Sequence, residues 1–223
     1  MKRHLIIFLG LMLCAAPLFT SCSDSDSDGS SNEFANWRER NEQYFASVHD
    51  NALGQISTAK AQYGAEWEEQ CDWRAFLSYG RSADASSNTL QDSVFVQILT
   101  RGTGSGCPLV SDKVRVYYAG RLMPTDLHPD GKMFDHSGQS TQIDKIFDHK
   151  TATPTMFNIT DIARGLGTAL LYMHIGDKWR VYMPYKLGYN TTEYTNIPSY
   201  STLIFDVELV QYARNGTSLP EWS

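Results

Sequence analysis

The chain has 223 residues, of which 42% are hydrophobic and 20% charged, with a formal net charge of −6. This length is enough for one compact domain with an extension, and the acidic balance argues against a nucleic-acid partner. The four cysteines form no CxxC pair and no Cys/His cluster with zinc spacing, which argues against a metal cofactor.

The chain begins with an export signal. Lys2 and Arg3 precede an apolar run at residues 5–19 that is too short to span a bilayer as a mature helix. The run leads into Thr-Ser-Cys, the pattern at which bacterial lipoprotein precursors are lipidated and cleaved. We therefore predict a lipoprotein signal peptide at residues 1–21 and a lipid on Cys22. The alternative is a plain secretory signal, which would leave Cys22 as a free thiol. Cleavage removes both basic residues and no acid, so the mature chain has a formal net charge of −8.

Residues 22–32 are predicted to be an acidic tether. After Cys22 they alternate serine with aspartate and contain no apolar residue, so they cannot bury enough surface to offset the entropy of ordering. The lipid predicts a location in the cell envelope, anchored to the outer membrane. Acidic residues directly after a lipidated cysteine resemble, in some Gram-negative lineages, a signal for export to the outer surface. A plain spacer would leave the protein on the periplasmic face, and both locations stay open.

Residues 33–88 are predicted to form a helical extension and a linker. Apolar residues recur at helical spacing in two stretches: Phe34, Trp37, Tyr44, Phe45 and Val48, then Ile56, Ala59, Tyr63 and Trp67. This face could bind a second copy of the chain in a homodimer, or dock on the chain's own domain. Docking is favoured, because the heptads are not sustained over the repeats that a coiled coil requires. The small polar residues 82–88 suit a linker.

The domain at residues 89–214 is predicted to be a sheet with one short helix, followed by a C-terminal tail at 215–223. Strand-like runs with a period of two, such as VFVQIL, KVRVYYAGRL and STLIFDVELVQY, alternate with glycine-containing turns. Residues 160–173 instead place their apolar side chains on one helical stripe. One short helix against one antiparallel sheet is an α+β arrangement.

Cys71 and Cys107 are the cysteines that remain in the mature chain besides Cys22. In an oxidising compartment they could form a disulfide. Their spacing does not establish that their Cα atoms come within bonding reach, so the paired and the free states both stay open.

Four blocks of the predicted domain resemble, in order and content, the motifs of FKBP-type peptidyl-prolyl isomerases: VRVYYAGRL, DGKMFDHS, MHIGDKWRVYMPYKLGY and IPSYSTLIFDVEL. They extend over residues 114–209. The resemblance implies a curved antiparallel sheet wrapped on the short helix, with the active site between the helix and the concave face. It also implies an enzyme that needs no cofactor. Several exported members of this family carry an N-terminal helical extension used for dimerisation.

The pocket positions of the family carry over where the motifs match. The resemblance implies a site made of Tyr118, Phe134, Asp135, Ile162, Ala163, Leu166, Tyr189, Ile197 and Phe205. Without it, the strand aromatics would be interpreted as ordinary core residues. Tyr189 is the expected hydrogen-bond donor to the substrate carbonyl. Asp135 is expected to orient Tyr118 rather than to act as a general base.

Three features depart from the family pattern. Leu166 stands where a tryptophan commonly forms the pocket floor, so we expect weaker turnover and poor binding of macrolide inhibitors. Asn190 replaces a glycine after Tyr189, which a turn tolerates because asparagine accepts left-handed backbone. Residues 138–153 are an insertion beside the predicted cleft. Its apolar side chains either grip unfolded chains or, in the favoured interpretation, pin the loop to the domain.

Two functions are compatible with these expectations. The favoured one is a peptidyl-prolyl cis-trans isomerase that assists the folding of exported, proline-containing polypeptides by desolvating and hydrogen-bonding a twisted X-Pro amide. The alternative is a peptide- or protein-binding module of the cell envelope that has kept the fold and lost most catalysis, as Leu166 would suggest. The isomerase is favoured by the retained Tyr118, Asp135, Tyr189, Ile197 and Phe205.

Overall fold

The computed structural model describes residues 32–194 and 196–222. The predicted signal peptide, the predicted lipid site at Cys22 and nearly all of the predicted tether lie outside the described residues. Within the described residues, no helix is both long enough and apolar enough to cross a membrane.

The described residues form four α-helices and seven β-strands. The helices are α1 (Trp37–Tyr63), α2 (Trp67–Gln70), α3 (Ile143–Ile146) and α4 (Arg164–Leu170). The strands are β1 (Trp73–Leu77), β2 (Ser93–Thr100), β3 (Lys113–Leu122), β4 (Met133–His136), β5 (Thr155–Asn158), β6 (Lys178–Met183) and β7 (Leu203–Ala213).

All seven strands belong to one antiparallel sheet in the order β1-β2-β6-β7-β3-β4, and β5 also pairs with β3. Strand β3 therefore lies between β7 on one side and β4 and β5, which pair with its two halves, on the other. One face of the sheet packs on α4 in a single apolar core, which includes Val96, Val181 and Val207 from the strands and Leu166 and Leu170 from the helix. The predicted α+β fold, an antiparallel sheet with a short helix and an N-terminal helix, is confirmed.

The sheet begins earlier than the sequence predicts. Strand β1 lies inside the segment assigned to the helical extension and linker, and it pairs along its whole length with β2, from Trp73 opposite Gln97 to Leu77 opposite Ser93. Residues 82–88 are therefore a connection between two strands of one sheet rather than a boundary between domains. Five residues are too short for a clear period-two signal, and only pairing with β2 identifies them as a strand.

Helix α1 docks on the chain's own domain, as the favoured interpretation predicts. The buried residues of α1 recur at helical spacing along one face: Trp37, Asn41, Phe45, Val48, Ala52, Ile56 and Ala59. At its N-terminal end, the Trp37 indole donates a hydrogen bond to Ser201 Oγ (2.9 Å), and Asn41 Oδ1 accepts one from the Thr202 backbone N–H (2.7 Å). The helix ends at Tyr63, and the capping residue Gly64 has a φ of 56°, which suits glycine.

The insertion at residues 138–153 packs on the face of the sheet opposite α4. Its short helix α3 buries Ile146, which is 1% exposed. The Phe147 ring lies under the Lys178 ammonium at 3.6 Å, and the Tyr117 hydroxyl donates to the Ala152 carbonyl at 3.1 Å. The apolar side chains therefore pin the loop to the domain, as the favoured interpretation holds. The predicted position beside the cleft is wrong, because Lys178 and Tyr117 lie on the face of the sheet away from α4.

Cys71 and Cys107 are both free thiols in this structure. Cys71 is buried, and its Sγ accepts a hydrogen bond from the Trp73 backbone N–H at 3.4 Å. Cys107 Sγ lies 3.6 Å from His174 Nδ1. Of the two states that the sequence leaves open, the structure contains the free one.

Candidate functional site

A cavity of about 190 Å³ opens between the N-terminal end of α4 and the inner face of the sheet. Its walls are formed by Tyr118, Asp135, Phe157, Asp161, Ile162, Ala163, Leu166, Tyr189 and Phe205. Seven of these nine residues were predicted from the sequence. The seven predicted residues come from β3, β4, β7, α4 with the residues just before it, and the loop after β6. The folded sheet therefore brings together residues up to 87 positions apart in the sequence.

Two neighbouring strands supply the aromatic wall. Tyr118 on β3 and Phe205 on β7 are 6% and 4% exposed, and their ring centroids lie 6.2 Å apart. Gly120, opposite Phe205 in the β3–β7 ladder, allows this packing. A Cβ atom there would come within 2.8 Å of the rings of Phe134 and Phe205, so any larger residue would displace the wall.

Asp135 holds the hydroxyl of Tyr118. The Tyr118 hydroxyl donates a hydrogen bond to Asp135 Oδ2 at 3.0 Å, and the other carboxylate oxygen accepts the His136 backbone N–H at 2.9 Å. Burial raises the pKa of Tyr118, and the nearby charge of Asp135 raises it further. Tyr118 therefore stays protonated at neutral pH, and the carboxylate orients a phenol as the sequence predicts.

Tyr189 closes the opposite side of the cavity. Its pKa is raised by burial and by the charge of Asp135, so its hydroxyl is a neutral donor. The ring is supported by Tyr194, with centroids 4.6 Å apart. The next residue, Asn190, has a φ of 60°, and its N–H donates to the Tyr185 carbonyl at 2.8 Å. The predicted left-handed turn is therefore present with asparagine in place of glycine.

Leu166 forms the apolar floor from α4 and is 3% exposed. The residue before it, Gly165, packs closely on β6, since a Cβ there would lie 2.6 Å from Met183 Cβ. This close approach of helix and strand fixes the depth of the floor. A leucine side chain there is apolar, but it has no flat face on which a proline ring could stack.

Two predicted site residues, Phe134 and Ile197, are not among the described residues that line the cavity. Phe134 stands behind it and packs edge-on against Phe205, with centroids 5.6 Å apart. Ile197 is 6% exposed and contributes to the same apolar core, but it lines a neighbouring cavity with Phe34, Tyr194 and Pro198.

Two lining residues, Phe157 and Asp161, were not predicted as site residues. Phe157 lies on β5, and its ring is 5.5 Å from that of Tyr118. The alternation of polar and apolar residues in Thr-Met-Phe-Asn could have predicted β5. Four residues beside an insertion are too few to identify a strand, however. Asp161 was expected near the positive end of the helix dipole rather than in the site, and its carboxylate accepts a hydrogen bond from Asn158 Nδ2 at 2.6 Å.

A larger cavity lies elsewhere among the described residues. It measures about 550 Å³ and is lined by charged residues and by Phe76, Tyr172 and Trp179, with none of the predicted site residues. Volume alone does not identify a site, and the smaller cavity has the convergent polar atoms on apolar walls that small-molecule and peptide sites show. Within the described residues, no cluster of three or more potential metal ligands occurs.

Comparisons with known proteins agree on one family. A family model described as FKBP-type peptidyl-prolyl cis-trans isomerase matches residues 107–210. The chain is 34% identical over 137 residues to a macrophage infectivity potentiator of Trypanosoma cruzi, covering 61% of each chain. It is 30% identical over 125 residues to the FKBP-type 22 kDa peptidyl-prolyl cis-trans isomerase of Escherichia coli, covering 56% of this chain and 52% of that one.

Among solved structures, a peptidyl-prolyl cis-trans isomerase from Pseudomonas syringae is similar with 25% identity and a TM-score of 0.43, covering 76% of this chain and 96% of that one. The chain spans between about half and three fifths of the length of the curated relatives above.

Proposed function

Because the chain belongs to the FKBP-type peptidyl-prolyl cis-trans isomerase family, we propose that it catalyses the cis-trans isomerisation of X-Pro peptide bonds. The observation that carries this proposal is the small apolar cavity in which the hydrogen-bonded pair of Tyr118 and Asp135 faces Tyr189 above a Leu166 floor.

The chemistry requires only that the twisted amide be bound better than the planar one. Rotation about an X-Pro bond breaks amide resonance, with a barrier of about 20 kcal/mol. In the perpendicular state the carbonyl loses part of its polarity, so removal from water costs less for that state than for the planar amide. The apolar walls of the cavity favour the twisted state for this reason.

The polar atoms of the cavity would fix the direction of the carbonyl. The neutral Tyr189 hydroxyl can donate to the substrate carbonyl oxygen, since both burial and Asp135 oppose its ionisation. Asp135 is occupied by Tyr118 and by the His136 N–H, which argues against its action as a base. A ten-thousandfold acceleration needs about 5.5 kcal/mol of differential stabilisation, within reach of desolvation plus one or two hydrogen bonds.

The substrates we propose are proline-containing segments of exported polypeptides. Support comes from the export-signal pattern at residues 1–21 and the acidic segment after Cys22. In this proposal a lipid on Cys22 holds the isomerase at the outer membrane, on either the periplasmic or the outer face, and the protein assists the folding of chains that arrive there.

The test is the rate of cis-trans exchange of a short X-Pro peptide with the purified chain. Tyr189→Phe removes one donor and keeps the ring, so we expect kcat/KM to fall about threefold to tenfold, the equivalent of one hydrogen bond. Tyr172→Phe is the matched control, because Tyr172 is 47% exposed and lies outside the cavity. Equal rates for wild type and both variants would exclude the role of Tyr189.

A second candidate function is supported by Leu166. Without a flat floor, the cavity could serve to hold a proline-containing peptide while turning it over slowly. A folded wild-type chain that binds such a peptide but does not accelerate exchange would favour this binding module over the isomerase.

A further inference from the structure

A second, polar cavity of about 130 Å³ lies on the face of the sheet opposite the candidate active site, where α1 crosses the strands. Its lining is formed by Tyr44, Arg121, Pro124, Pro129, Asp130, Arg180, Tyr182 and Ile204. None of these residues lines the candidate active site, and the proposed isomerase chemistry does not use them.

Two guanidinium groups share one carboxylate at the floor of this cavity. The Asp206 carboxylate, on a residue 2% exposed, accepts hydrogen bonds from Arg121 Nη2 (2.7 Å) and from Arg180 Nε (2.7 Å) and Nη2 (3.0 Å). One carboxylate thus serves two guanidinium groups. The Arg121 side chain is 8% exposed, and its Nε has no hydrogen-bond partner within the described residues. Arg180 is 34% exposed at its side chain, so its remaining donors face the cavity and solvent. Arg121 Nε is a buried donor that an added acceptor would satisfy.

The side walls add hydrogen-bond donors. Tyr44 comes from α1 and Tyr182 from β6, and both lie within electrostatic range of Arg121 and Arg180. Burial raises the pKa of Tyr44 to about 12 and also raises that of Tyr182, so both phenols keep their protons at neutral pH. Both are therefore uncharged, and each can donate a hydrogen bond.

Asp130 is the remaining charged group of the lining. It is exposed, and it makes no ion pair with either arginine in this structure. Its carboxylate is therefore solvated at the mouth of the cavity and is not bound to Arg121 or Arg180. It would repel an incoming anion, but through water, which weakens the repulsion.

We propose that this cavity binds a small oxyanion, a phosphate or carboxylate group, between the two arginines and the two tyrosine hydroxyls. The guanidinium groups offer several N–H donors and each phenol offers one O–H donor, the groups that carboxylates and phosphates bind. The volume equals that of about four water molecules in the liquid, which admits such an anion.

The experiment is a titration of the purified full chain with inorganic phosphate and, separately, with acetate, each against sodium chloride at equal ionic strength. Binding is measured by calorimetry and by the NMR signals of the arginine Nε–H groups. We expect saturable binding and a shift of the Arg121 signal. Absence of saturation with both anions, or a response equal to that of chloride, would refute the proposal.

Three variants separate a bound anion from general charge screening, and none of them removes an arginine. Tyr44→Phe and Tyr182→Phe each delete one donor and should weaken binding about threefold to tenfold. Asp130→Asn removes a repelling charge and should strengthen it. A fourth variant, Tyr63→Phe at the exposed far end of α1, is the control and should leave the affinity unchanged. Identical affinities for all four variants would place the anion elsewhere and overturn the assignment.

Discussion

Asp135 provides a charged group of the candidate active site, and Leu166 provides its apolar floor. Asp135 is charged, yet both its oxygens accept hydrogen bonds from its own surroundings, one from the Tyr118 hydroxyl. A carboxylate whose oxygens are already bound can border an apolar cavity without facing the substrate as a bare charge. Leu166, by contrast, decides only the shape of the floor. Asp135 and Tyr118 make the hydrogen bond that the family resemblance implies. We therefore expect the Leu166 floor to limit turnover.

Leu166→Trp tests that limit. A tryptophan offers a flat ring to the proline and a larger apolar area, so we expect kcat/KM for an X-Pro peptide to rise severalfold. Leu166→Met, which keeps the volume similar without adding a flat face, is the matched control and should change activity little. Because overpacking can destabilise a core, both variants are also compared by thermal unfolding. A tryptophan variant that folds normally and is no faster would disprove the role of the floor.

Helix α1 is joined to the loop that leads into β7. Asn41 is completely buried, accepts the Thr202 backbone N–H through Oδ1 (2.7 Å), and donates through Nδ2 to the Trp37 carbonyl (2.7 Å). The same loop carries Ile197, one of the predicted site residues. An amphipathic helix could dock by apolar contact alone, but the buried amide also fixes its register along the sheet.

Asn41→Ala should therefore destabilise the fold. It leaves the Thr202 N–H buried without a partner, which costs about 1–3 kcal/mol. The measurement is the free energy of unfolding in urea, with Gln43→Ala on the exposed face of the same helix as control. If both variants unfold at the same urea concentration as wild type, the amide does not hold the helix.

For the whole molecule, docking of α1 bears on the oligomeric state. The apolar stripe that could have formed a dimer seam is buried against the chain's own sheet, with Phe45 completely buried and its ring 5.5 Å from that of Phe95. Association through this stripe would first expose it, and burying or exposing one phenylalanine is worth about 1.5–3 kcal/mol.

We therefore expect that this stripe does not mediate a dimer in solution. Sedimentation velocity over a hundredfold range of concentration gives the mass directly. A dimer that persists at the lowest concentration, and that Phe45→Ala dissociates, would mean that the stripe pairs between chains instead. A dimer insensitive to that change would point to another surface.

The fold class and most of the candidate site could be predicted before the structure was known. Strand period and helical spacing predicted the α+β class, because both are local properties of the chain. Tyr118, Asp135, Tyr189 and Phe205 were assigned to the site only through the resemblance of their sequence blocks to the FKBP-type motifs, since period alone would make the strand aromatics core residues. The docking of α1 could also be predicted from the sequence, because helical periodicity shows which side chains share a face.

Features that depend on a partner distant in sequence could not be predicted and are visible only in the folded chain. Strand β1 is a strand because β2 pairs with it, and Phe157 is a pocket residue because β5 lies against β3. Ile197 lines a neighbouring cavity instead of the candidate site, because the folded chain places it beside Phe34 and Tyr194. The arginine pair on Asp206 is the clearest case. A residue's type sets which interactions it can make, but whether its charge is matched depends on which groups the folded chain places beside it.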